Sequence, residues 1–183
     1  MILGIETSGE MTSLALMDGE RVVREDAFPS QMALCQRLTP RIEGLLQPER
    51  EGDSGAPPGL SAIAVSLGPG SFTSLRIAVA TVKALAHAWS TDVVGIPTAH
   101  AIADGLTNVP QDAVVCAVTV ARKDHVYLAI AERAPDGRWR DAAPCKVFTI
   151  ETLSEDLAGR DDLILRCGEA APAHAASLQG RLG

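Results

Sequence analysis

Two short stretches hold the residues best placed to do chemistry. Gly68-Pro-Gly-Ser-Phe-Thr-Ser74 lies between an apolar run and a long helical pattern, a place where backbone N–H groups at a helix start can cradle an anion. Glu6-Thr-Ser8 closes the first apolar run ahead of a turn, where an acid can hold a metal ion that bridges phosphates. Glu6, Thr7, Gly68, Gly70 and Ser71 are therefore the candidate anion or nucleotide contacts. The competing reading is a tight strand-to-helix turn, with Gly68 and Gly70 for unusual backbone angles, Pro69 for stiffness and Ser71 as helix cap. The run is not a P-loop, because the Gly-x-x-x-x-Gly-Lys-Ser/Thr spacing is missing and no lysine follows before Lys83.

Other reactive groups are scattered. A nucleotide-splitting enzyme of duplicated build needs a second acid-bearing hairpin, yet the corresponding run is Val118-Thr-Val-Ala-Arg122. His87, His100, His125 and His174 stand alone, with no pair at helical metal-ligand spacing. Cys35, Cys116, Cys145 and Cys167 form no Cys-x-x-Cys pair and read as small core hydrophobes. There is no Gly-x-Ser-x-Gly, and no cysteine has a histidine nearby in sequence. The pattern favours binding over catalysis, so no catalytic residue and no metal site are assigned.

The elements that must position these residues are legible as periodicity. Ile2–Thr7, Thr12–Met17 and Arg21–Ala27 read as a three-strand meander, with Asp18-Gly19 as a turn. Ser30 is placed to cap a helix running to Gln47, kinked at Pro40, with Leu34, Leu38, Ile42 and Leu45 or Leu46 on one stripe. A polar connection over Pro48–Gly59 leads to a short buried strand, Ala62–Leu67, a helix from Ser71 to Trp89, a strand at Val93–Ile96 and a helix over Ala99–Leu106 capped by Thr98. After the connection at Asn108–Asp112 the order repeats. Ala113–Val120, His125–Glu132 and Arg138–Thr149 are extended, Ile150–Leu157 helical, Asp162–Cys167 extended and Ala170–Leu178 helical.

A meander followed by alternating helix and strand implies a mixed sheet flanked by helices. Two such units in tandem divide the chain into residues 1–110 and 111–183. In the helix over Ser71–Trp89, Phe72, Leu75, Val79, Val82, Ala86 and Trp89 form an apolar stripe, while Ala80, Ala84 and Ala88 line a second, small-residue face. Such a face admits another helix at close range, from the same domain or from a partner chain. Arg76 sits one turn in on the polar side.

Bulk properties narrow the partners. The 183 residues are 46% hydrophobic and 21% charged, with a net charge of −7, which argues against a chain that grips nucleic acid by itself. The start, Met1-Ile-Leu-Gly-Ile-Glu6, has no basic segment before an apolar run, and no window approaches a membrane span. The expected location is the cytoplasm.

Ile5-Glu-Thr-Ser8, Leu67-Gly-Pro-Gly-Ser-Phe-Thr-Ser-Leu-Arg-Ile77, Gly95-Ile-Pro-Thr98 and Ala121-Arg122 with Val126-Tyr127 resemble the TsaB (YeaZ) family. The resemblance implies an α/β fold of tandem ribonuclease-H-like subdomains of the actin-like ATPase (ASKHA) type. It implies a scaffold or activator subunit that pairs with the threonylcarbamoyltransferase TsaD and engages the ATPase TsaE, making N6-threonylcarbamoyladenosine at position 37 of tRNA. It implies a homodimer in isolation, formed by the helices over Gln31–Gln47 and Ser71–Trp89. The tRNA is reached only through the complex. No intrinsic cofactor is implied, although a nucleotide at the interface with TsaD is compatible. Leu34, Leu38, Phe72, Ser74, Leu75, Arg76, Ala80 and Ala84 are the expected partner-interface residues. The family motif continues Phe-Thr-Gly-Leu-Arg-Ile-Gly, whereas this chain has Ser74 and Ala78; Val120 stands where an aspartate is usual, the first helix lacks its usual starting histidine, and the chain ends at Gly183, earlier than most relatives. Two other functions compete with the scaffold role: an ATP-dependent phosphotransferase of the same superfamily, and an M22-type glycoprotease.

Overall fold

A computed structural model describes residues 1–30, 33–49, 56–107, 109–122, 125–149 and 151–153, and the backbone of Leu163–Cys167. The chain divides into two compact units, Met1–Ile96 and Pro97–Gly183.

In the first unit, β1 (Ile2–Glu6), β2 (Met11–Asp18) and β3 (Arg21–Pro29) form the meander, followed by α1 (Leu34–Leu46), β4 (Ala62–Ser66), α2 (Phe72–Trp89) and β5 (Asp92–Ile96). The sheet order is β3-β2-β1-β4-β5. The meander pairs antiparallel, and β4 and β5 add in parallel beyond β1. Gly19, at φ 58°, makes the turn between β2 and β3.

The register explains the core. Leu3 lies opposite Leu16 and Ile63, and Ile5 opposite Leu14 and Val65, so all six side chains share one face. Leu34, Leu38, Ile42, Leu45 and Leu46 of α1, with Ala78 and Val82 of α2, close over it. Ion pairs fasten the margin: Arg24 to Glu49 at 2.6 Å and Arg41 to Asp26 at 3.0 Å. The guanidinium groups of Arg37 and Arg41 each lie 5.1 Å from the centre of the buried Phe28 ring.

The second unit repeats the plan. It holds α3 (Thr98–Asp104), β6 (Val114–Arg122), β7 (His125–Arg133), β8 (Trp139–Thr149) and β9 (Leu163–Cys167), in the sheet order β8-β7-β6-β9, with only β6 and β9 parallel. One face packs Cys116, Val118, Val126, Leu128 and Ile130 with Leu153, which belongs to a helical turn over residues 151–153. The other packs Val115, Ala117, Ala129 and Ala131 against Ala99 and Ala103 of α3. The tandem mixed sheets flanked by helices are the fold class expected from the repeated element order.

Several local expectations are corrected. The division falls between Ile96 and Pro97, ahead of 110/111, because α3 packs on β6, β7 and β8. Ser30 does not cap α1; its hydroxyl bonds Thr12 Oγ1 at 2.9 Å, and the helix starts after Ala33, whose φ is 72°. Thr98 is the first residue of α3 rather than its cap. The Pro97 carbonyl accepts from His100 N and Ala101 N, and the buried Thr98 hydroxyl has no partner among the described residues. Of the cysteines, Cys116 is buried as expected, but Cys35 and Cys145 are exposed. The Cys167 side chain, Gln31, residues 154–157 and the helix expected over Ala170–Leu178 lie outside the described residues.

Candidate functional site

The structure brings Glu6, Thr7, Gly68, Gly70 and Ser71 together. β1 and β4 are parallel neighbours, so the chain leaving each emerges at the same end of the sheet. There the Glu6–Ser8 segment meets the Gly68–Ser71 turn. The Gly68–Pro69 peptide is cis and Gly68 has φ 93°, a backbone conformation open to glycine. At Gly70 the reason is contact: a Cβ there would sit 2.8 Å from the Ser8 carbonyl carbon and closer still to its oxygen.

Several polar groups of this junction are used internally. Thr7 N donates to Ser66 Oγ at 3.2 Å, and Thr7 Oγ1 donates to the Ser74 carbonyl at 3.2 Å. Ser8 N donates to the Glu6 carboxylate, and Ser71 N donates to the Ser8 carbonyl at 2.6 Å. Ser71 caps α2 as expected: its Oγ accepts from Ser74 N at 3.5 Å and lies 2.9 Å from Ser74 Oγ. The amides of Thr7, Ser8, Ser71 and Ser74 are thus directed at protein oxygens, with a carboxylate among them. That is the arrangement of a packed strand-to-helix junction. Ser66 and Ser8, which are not among the candidate contacts, complete it; the available signal was a polar residue where each apolar strand ends.

The corresponding hairpin of the second unit carries no carboxylate on β6. Thr119 is buried with its hydroxyl unpartnered among the described residues, and Val120 is exposed. Arg122 Nη2 lies 3.5 Å from His125 Nε2. His100 of α3 bonds Asp141 of β8 at 2.8 Å. Partial burial, followed by the nearby Asp141 carboxylate, raises the Cys145 thiol above its ordinary value, which disfavours a nucleophilic thiolate. Among the described residues no three His, Cys, Asp or Glu side chains group as metal ligands, and no helix is long and apolar enough to cross a membrane.

The other candidate surface is α2, where the sequence expectation needs correction. Ser74, Ala78 and Val82 are the buried positions; of the expected stripe Val82 lies in the core, Val79, Ala86 and Trp89 pack against it half-buried, and Phe72 stands outside. Small side chains at successive helical turns allow α2 to lie close on the sheet, and the larger Leu75, Ile77 and Val79 flank them half-buried. Of the expected interface residues, Leu34, Leu38 and Ser74 are consumed by the unit's own interior. Phe72, Arg76, Ala80 and Ala84 face outward at four-residue steps, continued by Ala88. Phe72 is 71% exposed, and the Arg76 guanidinium lies 5.3 Å from its ring centre. This row is an aromatic–cation pair beside a flat alanine ridge.

Comparison with known proteins adds to this geometry. The family described as TsaD, tRNA N6-adenosine threonylcarbamoyltransferase, matches residues 36–155. The chain is 31% identical to the tRNA threonylcarbamoyladenosine biosynthesis protein TsaB of Escherichia coli K12, over 84% of this chain and 64% of that protein. It therefore spans somewhat less than two thirds of that relative's length. It is 32% identical to a tRNA N6-adenosine threonylcarbamoyltransferase of Paraburkholderia xenovorans, over 52% of this chain and 32% of that protein. The structure of YeaZ from Pseudomonas aeruginosa aligns with a TM-score of 0.66 at 29% identity, covering 81% of this chain and 67% of that one. An uncharacterized protein described as similar to peptidase YeaZ from Pseudomonas aeruginosa aligns with a TM-score of 0.68 at 25% identity, covering 98% and 92%.

Proposed function

Because the chain belongs to the TsaB (YeaZ) branch of this threonylcarbamoyltransferase family, we propose that it is a non-catalytic scaffold or activator subunit in the formation of N6-threonylcarbamoyladenosine on tRNA. Its principal partner is the transferase TsaD, and TsaE is a further one. In the absence of TsaD it associates with a second copy through the same helical layer. The tRNA is held by the complex rather than by this acidic chain.

The observation that carries the reading is the outward row of α2: Phe72, Arg76, Ala80 and Ala84 stand exposed on a helix whose opposite side is already satisfied by its own sheet. A ridge of alanines lets a second helix approach closely, and an exposed phenylalanine beside an arginine suits the anchor of an interface. The close packing of Gly70 on Ser8 and the internal bonds of the Thr7, Ser8 and Ser71 amides support a structural turn over a phosphate cradle.

The test is Ala84→Glu. Position 84 is exposed in the isolated chain, so the fold should be retained, with stability changed by about 0.5 kcal/mol or less. At a closed interface the buried, unpaired carboxylate costs about 3 kcal/mol, a roughly hundredfold loss of affinity for TsaD. Titration calorimetry against TsaD and a tRNA modification assay read this out. A folded variant that binds and supports modification at the wild-type level would overturn the proposal. Turnover of magnesium–ATP by the isolated chain would replace it with the phosphotransferase reading.

A further inference from the structure

We draw no further inference here: the strongest candidate, the face of the first sheet opposite α1 and α2, where Ile2, Val22 and Val94 stand exposed beside small residues such as Gly4, Ala15 and Ala64, is an apolar surface for which nothing in the structure shows what covers it.

Discussion

Replacing Gly70 with alanine tests the junction that joins the two sequence motifs. The new methyl would fall 2.8 Å from the Ser8 carbonyl carbon, with the oxygen and Cβ of Ser8 nearer still. The obstacle is backbone, so no rotamer change relieves it. Ser8 is itself pinned, since its amide donates to Glu6, its carbonyl accepts from Ser71 N at 2.6 Å, and the Thr7 amide donates to Ser66 Oγ. Either the turn retreats and stretches the Ser71–Ser8 bond, costing about 1 kcal/mol, or the overlap is absorbed as strain of about 1–3 kcal/mol. The reduced freedom of the unfolded chain returns only about 0.4–1 kcal/mol. The net expectation is a loss of about 0.5–2 kcal/mol from the first unit.

Urea unfolding followed by Trp89 fluorescence in a Trp139→Phe background reads that unit, because Trp89 packs against its core and Trp139 belongs to the second. At the slope usual for small domains the midpoint should fall by roughly 0.3–1 M. Gly44→Ala is the control. It lies inside α1 with nothing within 4 Å of the added Cβ, and should hold or raise stability by up to about 1 kcal/mol. A Gly70→Ala protein with an unchanged midpoint, beside a control that behaves as expected, would refute the packed-junction account.

Four further outcomes are expected. Ala78→Leu should cost the first unit about 1–3 kcal/mol by overpacking a fully buried site, whereas Ala80→Leu on the outward row should leave the unfolding midpoint nearly unchanged. Ser71→Ala should cost about 0.5–1 kcal/mol, because the capping contact to Ser74 N is long at 3.5 Å. His100→Ala should cost the second unit at most about 1 kcal/mol in unfolding followed by Trp139, since the Asp141 end of the pair is 63% exposed. Partial burial and Asp141 raise the folded-state pKa of Cys145 above its unfolded value, so the stability it contributes is present below the ordinary thiol range and lost as pH rises through the raised value. Asp141→Asn should therefore speed its alkylation by iodoacetamide at pH 8, followed by mass spectrometry, and an unchanged rate would count against the assigned cause.

The element order was legible because strands and helices write different periods into the chain. Alternating Thr12, Leu14 and Leu16 against Ser13 mark a half-buried strand, and the spacing of Leu34, Leu38, Ile42 and Leu45 marks one face of a helix; both faces pack as that spacing requires. Turn chemistry was equally local, so Asp18-Gly19 and the Ser71 cap needed no tertiary information. The duplicated plan followed from the same signals repeated.

The inward side of α2 required the tertiary structure. That helix carries apolar residues on most of its circumference, so periodicity could not choose among its faces. Close approach to the sheet selected the small Ser74 and Ala78 and left Phe72 outside. The allegiance of α3 was likewise settled by Ala99 and Ala103 meeting the alanines of β6 and β7, far along the chain. The glycine turn shows both levels at once. Its sequence determined that a sharp, capped strand-to-helix connection would form there. Only the folded chain, by bringing Ser8 against Gly70, decided that the Thr7 and Ser71 amides would be spent on Ser66 and Ser8 oxygens, because a hydrogen bond reports proximity in space and not proximity in sequence.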